Sequence, residues 1–273
     1  MSNDYKILFL GDIVGRPGRK IAQKFISEQK VNYDLVIVNV ENASHGFGLT
    51  KRNHDELFEC GISCMTSGNH IWDKKDVYEY INTSEALIRP LNYPKIVTDG
   101  VGYRIYDNNI VVVNLLGRTF MQPVDSPFEV FDNLVEKLGK DKFYIVDFHA
   151  EATAEKICFG TYLSQNVSGA LIGTHTHVQT ADEKILNNRF AHITDAGFTG
   201  SYDGVIGMQF ENSYKFMTTL IQERFEVPEH VSKYQINGCE IILDLNNNVA
   251  KSIKRINEVC EVAENENWFT YTH

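Results

Sequence analysis

No CxxC pair occurs in the sequence, and the five cysteines, Cys60, Cys64, Cys158, Cys239 and Cys260, are odd in number. That excludes a zinc knuckle and a full disulfide framework, so reduced, buried thiols are expected. Prolines number six in 273 residues, with no Pro/Ser-rich linker, low-complexity tract or internal repeat to divide the chain, so residues 1–273 are expected to form a single domain. No apolar run approaches the roughly 20 residues that span a bilayer. Residues 1–4 are polar and carry no leader signal, which makes a cytoplasmic location the expectation. Basic residues are in deficit: 26 Lys and Arg stand against 36 Asp and Glu, a net charge of −10. This argues against stable binding of nucleic acid or an anionic membrane. The GxGxxG and GKS/T forms are absent, so the glycines at 11, 15 and 18 make only a weak nucleotide loop.

What is present is an alternation of short apolar runs with amphipathic stretches. Strands are expected at 5–10 (YKILFL), 34–40 (DLVIVNV), 62–66, 143–148, 169–172 and 188–193, and a hairpin at 101–106 and 110–116 around Asp107-Asn108-Asn109. Helices are expected at 16–29, from a Thr50 cap through 58, and at 73–82, 128–138 and 153–163. Residues 195–207 read as a glycine-rich loop, 214–222 as an amphipathic stretch, and 239–245 and 252–259 as strands. The order implies an α/β fold with mixed sheets and helices outside.

Polar residues fall where such folds collect ligands. Asp12, Glu41, Asn69, His149 and His175 each lie just past the C-terminal end of an apolar run. With Asn42 and His177 they offer carboxylate oxygens, amide oxygens and imidazole nitrogens without thiolate, a set suited to Fe, Mn or Zn. Seven donors are too many for one catalytic ion, which takes about three protein ligands and keeps a position open. They suit two divalent ions bridged by Glu41, whose carboxylate has an oxygen for each. Such a site would stay near about +1 with a bound hydroxide, an attractor for phosphate inside an acidic protein. His70, directly after Asn69, is a candidate general acid for a leaving alkoxide.

The motifs GDIVGRPG (11–18), VENASHGFGLT (40–50), SGNHIWD (67–73), DFHAE (147–151), GTHTHVQTAD (173–182) and ITDAGFTGSYDGVIGM (193–208) resemble calcineurin-like metallophosphoesterases, and within them the bacterial YmdB-type cyclic-nucleotide phosphodiesterases. The resemblance implies a four-layer αββα sandwich. It also implies Asp12, Glu41, Asn42 and His177 on one metal, Glu41, Asn69, His149 and His175 on the second, and His70 as proton donor. The implied activity is hydrolysis of phosphodiesters such as 2′,3′-cyclic nucleotides by a metal-bridging hydroxide, with Fe or Mn. Self-association is expected only through the resemblance. Two departures from the wider superfamily stand out: position 14 is Val where Asp-x-His is usual, and Glu41 with Asn42 replaces the usual bridging aspartate.

Plainer readings stand beside these. Asp12 and Asn42 taken singly are turn formers or caps, and a lone HxH is as often structural as ligating. His45 is a pocket-lining candidate, His54 reads as solvated, and His192, His230 and His273 read as non-functional. Arg118 is a candidate phosphate contact or a surface arginine, and residues 199–202 a substrate wall or a turn. Two alternatives remain: a phosphomonoesterase or nucleotidase on the same metals, and a regulatory metal-binding protein with little catalysis.

Overall fold

Apolar runs that bury both faces need cover on both sides, and that requirement sets the architecture. The computed structural model describes residues 4–94, 96–97, 99–107, 109–221, 224–228 and 231–261. In chain order the elements begin β1 (Asp4–Leu10), β2 (Asp12–Ile13), α1 (Gly15–Gln29), β3 (Leu35–Asn39), α2 (Lys51–Glu59), β4 (Cys64–Thr66), α3 (Val77–Tyr80), β5 (Tyr103–Tyr106) and β6 (Ile110–Leu116). They continue with α4 (Pro127–Leu138), β7 (Phe143–His149), α5 (Thr153–Asn166), β8 (Ser168–Thr174), β9 (Lys184–Leu186) and β10 (Phe190–Ile193). The last are β11 (Phe198–Ser201), α6 (Phe210–Thr219), β12 (Lys233–Asp244) and β13 (Val249–Glu261).

One sheet has seven strands in the order β2-β11-β12-β1-β3-β4, with β13 also on β12; the other has six in the order β5-β6-β7-β8-β10-β9. Both are mixed. In the first, β1, β3 and β4 run parallel while β12 is antiparallel to β1. In the second, β6, β7, β8 and β10 are parallel, with antiparallel strands at both edges.

Side-chain alternation sorts residues into three apolar layers. Ile7, Phe9 and Ile37 of the first sheet meet Val112, Ile145 and Ile172 of the second. Leu8, Leu10, Val36 and Val38 point the other way, onto Ile21 and Phe25 of α1 and Leu57 of α2. Val111, Val113, Tyr144 and Val146 face Phe131 of α4 and Phe159 and Leu163 of α5. The result is two mixed sheets face to face with helices outside both, as expected. No described helix is long and apolar enough to cross a membrane.

Several local expectations are corrected. Residues 195–207 contain a strand, β11, which the glycines disguised and which pairs with both β2 and β12. The expected 73–82 helix is confined to Val77–Tyr80, because residues 70–77 form i→i+3 turns instead. β12 and β13 are each several residues longer than expected, forming a long antiparallel pair. His54 is buried at 6% exposure, with Nε2 2.7 Å from Ser84 Oγ and its ring 4.9 Å from that of Tyr80. All five cysteines are free, but only Cys64 and Cys239 are buried and Cys158 is exposed. Asn108, Gln222, His230 and His273 lie outside the described residues, as do residues 1–3.

His192 is fully buried against α5 and Gly160, where an added Cβ would meet its Nδ1 at 2.4 Å. Burial holds its pKa well below the ordinary 6.5, at about 4. In that interval the unfolded chain binds a proton the folded one does not, so stability rises with pH. Urea unfolding should therefore show stability falling as pH drops from 6.5 to about 4, by up to roughly 3 kcal/mol. His192→Gln should flatten that slope, and an unchanged slope would assign the acid sensitivity elsewhere.

Candidate metal centre

Parallel strands deliver their C-terminal ends to a common edge, and both sheets do so on the same side of the molecule. Asp12 opens β2, Glu41 and Asn42 follow β3, Gly68, Asn69 and His70 follow β4, His149 ends β7, and His175 and His177 follow β8. Contacts across the sandwich join them. Glu41 Oε1 lies 2.8 Å from His149 Nε2, which is 3.0 Å from His175 Nδ1. Glu41, His149 and His175 offer ligand atoms all within 4.8 Å of one another. Beside them, His177 Nε2 is 3.2 Å from Asn42 Oδ1 and 3.8 Å from Asp12 Oδ1.

The outer partners of the rings decide which nitrogens are bare. The Ile206 carbonyl can only accept, so His177 Nδ1 donates to it over 2.9 Å and leaves the Nε2 lone pair facing Asn42 Oδ1. Asn42 cannot answer with a proton, because its Nδ2 donates to Gly46 O. The Thr174 hydroxyl donates to Asp147 Oδ1 over 2.6 Å, so its oxygen accepts from His149 Nδ1 over 2.8 Å. His149 Nε2 is thereby aimed at Glu41. The Glu151 carboxylate, 3.2 Å from His175 Nε2, can only accept, so the ring proton sits on Nε2 and leaves Nδ1 bare. Three imidazoles thus present lone pairs to other acceptors at short range.

Such an arrangement asks for a positive charge. Burial works against a charged His149 ring, but Glu41 and Asp12 override it and push the ring up to about 9, so a proton fills the demand when no cation does. Burial would raise Glu41, yet His149 beside it holds the carboxyl at about 2. Burial and the neighbouring His149 push His175 down to about 3, which keeps it neutral and able to ligate. Burial raises Asp12. Asp12 Oδ1 and Asn69 Oδ1 are buried and take no hydrogen bond. Orphaned buried oxygens in native structures call for an explanation, and an ion supplies one. The donors present therefore fit a divalent metal.

The backbone is bent to serve the site. His175 and His177 have φ of 99° and 61°, unusual for residues with side chains and characteristic of functional positions. Gly68 leaves the room that Glu41 and His149 occupy: an added Cβ would meet Glu41 Oε2 at 1.9 Å and His149 Nε2 at 2.5 Å. The His70 amide donates to Glu41 Oε2 over 3.3 Å, and its ring Nδ1 is 2.8 Å from Asp73 Oδ2.

All seven ligand candidates and His70 thus lie on loops or strand ends at this edge, with Asp12, Glu41, Asn42, His149, His175 and His177 linked by short contacts. His45 is exposed at φ 59°, Arg118 is exposed with its amide on Glu155, and Thr199 is buried within β11. The supporting residues escaped sequence reasoning: Asp147, Thr174, Asn39 and Thr66 beneath His149, Glu151 beside His175, and the buried Lys156 and Asp195. Asp147 is pushed up to about 6 by burial and accepts from Asn39 Nδ2 over 2.9 Å and from the Thr66 hydroxyl. A lysine on the core face of α5, three residues before Phe159, was the available signal.

Two mixed sheets carrying clustered histidines and carboxylates at one edge define an α/β protein with a candidate cation site. The chain belongs to the YmdB-like family, whose pattern matches residues 8–256. It is 42% identical over 255 residues to the 2′,3′-cyclic-nucleotide 2′-phosphodiesterase of Bacillus subtilis (strain 168), covering 91% of this chain and 94% of that one. Its fold matches the crystal structure of a novel phosphatase from Mycoplasma pneumoniae with a TM-score of 0.88 and 35% identity, over 96% of this chain and 95% of the other. A hypothetical protein from Thermus thermophilus matches with a TM-score of 0.85 and 35% identity, over 94% and 99%.

Gly68→Ala forces either the Glu41 carboxylate or the His149 ring to move. Calorimetric titration with Mn²⁺ should show binding weakened by roughly 10-fold or more, with the far-UV circular dichroism unchanged. Wild-type affinity in this variant would mean that Glu41 and His149 are not ligands.

Proposed function

We propose that this chain is a metal-dependent hydrolase of phosphodiesters, with 2′,3′-cyclic nucleotides as the substrate class, using two divalent ions of iron or manganese. The observation that carries the reading is the commitment of three histidines to outer acceptors, which turns their bare nitrogens toward Glu41, Asn42 and each other. The Bacillus subtilis relative supplies the substrate class by its name.

In this reading Asp12, Asn42 and His177 would hold one ion, Asn69, His149 and His175 the other, and Glu41 would contribute to both. Bound there, two ions would lower the pKa of a water and offset charge on the phosphoryl oxygens. The protein's own part is orientation and proton handling. Thr174, Glu151 and the Ile206 carbonyl fix the three rings and raise their basicity as ligands. Asp73 accepts from His70 Nδ1, which orients that ring and compensates its charge as an imidazolium. Nε2 then carries the proton delivered to the leaving oxygen. Both sheets would contribute ligands, so in this reading the two sheets act as one domain. The five free thiols suit a reducing, cytoplasmic setting.

The test uses protein stripped of metal and reloaded with Mn²⁺ or Fe²⁺, comparing 2′,3′-cyclic AMP with 3′-AMP. Turnover of the cyclic diester with little phosphate released from the monoester is expected. Preference for the monoester would make it a nucleotidase, and no turnover of either by metal-loaded protein would leave a regulatory metal-binding role.

Two substitutions probe the roles assigned. Glu41→Gln should lose metal and activity together. His70→Ala should keep its metal and lose roughly 10²-fold or more in kcat; full activity in both variants would reject the mechanism.

A further inference from the structure

Lys156 is fully buried on the face of α5 that also carries Phe159 and Leu163. An apolar residue there would complete the helix–sheet core, and replacing a buried ion pair by well-packed apolar groups is often neutral or stabilising. The lysine instead donates to Thr174 O over 2.8 Å and to Asp195 Oδ2 over 2.6 Å. It therefore ties the end of β8 to the segment that follows β10. Neither Lys156 nor Asp195 is among the ligand candidates.

Asp195 passes that anchorage on. Its Oδ2 also accepts from the Thr176 amide over 3.3 Å and the Thr176 hydroxyl over 2.8 Å. Thr176 stands between His175 and His177, the two residues whose φ values of 99° and 61° need external support. Asp195 Oδ1 accepts from Gly197 N over 2.9 Å, and Gly197 O accepts from Asp12 N over 3.1 Å. Gly11 and Gly197 pack so closely that a Cβ on Gly11 would meet Gly197 O at 2.0 Å. One carboxylate thus reaches, through one intervening residue each way, the histidine loop and the strand that bears Asp12.

We infer that Lys156 and Asp195 are positioning residues of the metal centre: the buried ion pair locks His175, His177 and Asp12 in ligating geometry. The inference rests on the metal reading above. It predicts that the clamp sets metal affinity more than it sets global stability, which separates it from an ordinary buried pair.

The experiment titrates metal-free protein with Mn²⁺, following free Mn²⁺ by its electron paramagnetic resonance signal, and measures the metal-free Tm alongside. Thr176→Val keeps the ion pair and removes one bond of the clamp; Asp195→Asn and Lys156→Met remove its charges. Leu163→Ala, on the same helix, is the reference for destabilisation without the clamp. Thr176→Val is expected to weaken Mn²⁺ binding by roughly 10-fold and Asp195→Asn by up to roughly 100-fold, while Leu163→Ala lowers the Tm and leaves affinity unchanged. If Lys156→Met does not fold, Thr176→Val and Asp195→Asn decide. Affinities within about 2-fold of wild type in both, or an equal loss in Leu163→Ala, would overturn the inference alone. A wild-type protein that binds no Mn²⁺ would overturn the metal reading beneath it.

Discussion

The hydrogen bond from the Thr174 hydroxyl to Asp147 determines which nitrogen of His149 is bare, and the rest of the site is arranged around that outcome. A hydroxyl has one proton to give; once it goes to Asp147, the oxygen must accept from His149 Nδ1. Nε2 is then left beside Glu41 and His175 with nothing to share except a proton or a cation. Asn39 and Thr66 direct their own donors to Asp147, so the buried carboxylate remains an acceptor and the sequence of bonds cannot run backwards. Fully buried polar groups thus orient the donors at the edge.

The fold was legible wherever burial leaves a periodic trace. Strands β1, β3, β6 and β7 and the helices α1, α2, α4 and α5 follow from apolar spacing and from caps such as Thr50, whose hydroxyl accepts from Asn53 N. β11 was not, because Gly197, Gly200 and Gly204 read as loop while pairing with β2 and β12 makes a strand of 198–201. His54 was misplaced for a related reason. Helix spacing showed a polar residue on a short helix, whereas Tyr80 and Ser84, far along the chain, give it a buried slot.

The site divides the same way. Ligand candidates announce themselves because each follows a hydrophobic run. Their supports do not, since Asp147, Thr174, Glu151 and Asp195 act across strands whose adjacency is a property of the sheet. Thr174 lies opposite His149 only because β7 and β8 pair in that register. Lys156 is the exception, a charge placed among core positions, and its partner was still invisible without the topology.

The origin of the ligand candidates has one more implication. Asp12, Glu41, Asn42 and Asn69 lie on or just after strands of the seven-stranded sheet, while His149, His175 and His177 lie on or just after strands of the six-stranded one. Between them lies an apolar interface of residues such as Phe9, Ile37 and Ile145, pinned near the site by the bonds from Asn39 and Thr66 to Asp147. Donor atoms drawn from both sheets stay together only while the two keep their register against each other. A bound ion would act as a rivet through the sandwich, added to the buried bonds that already cross it.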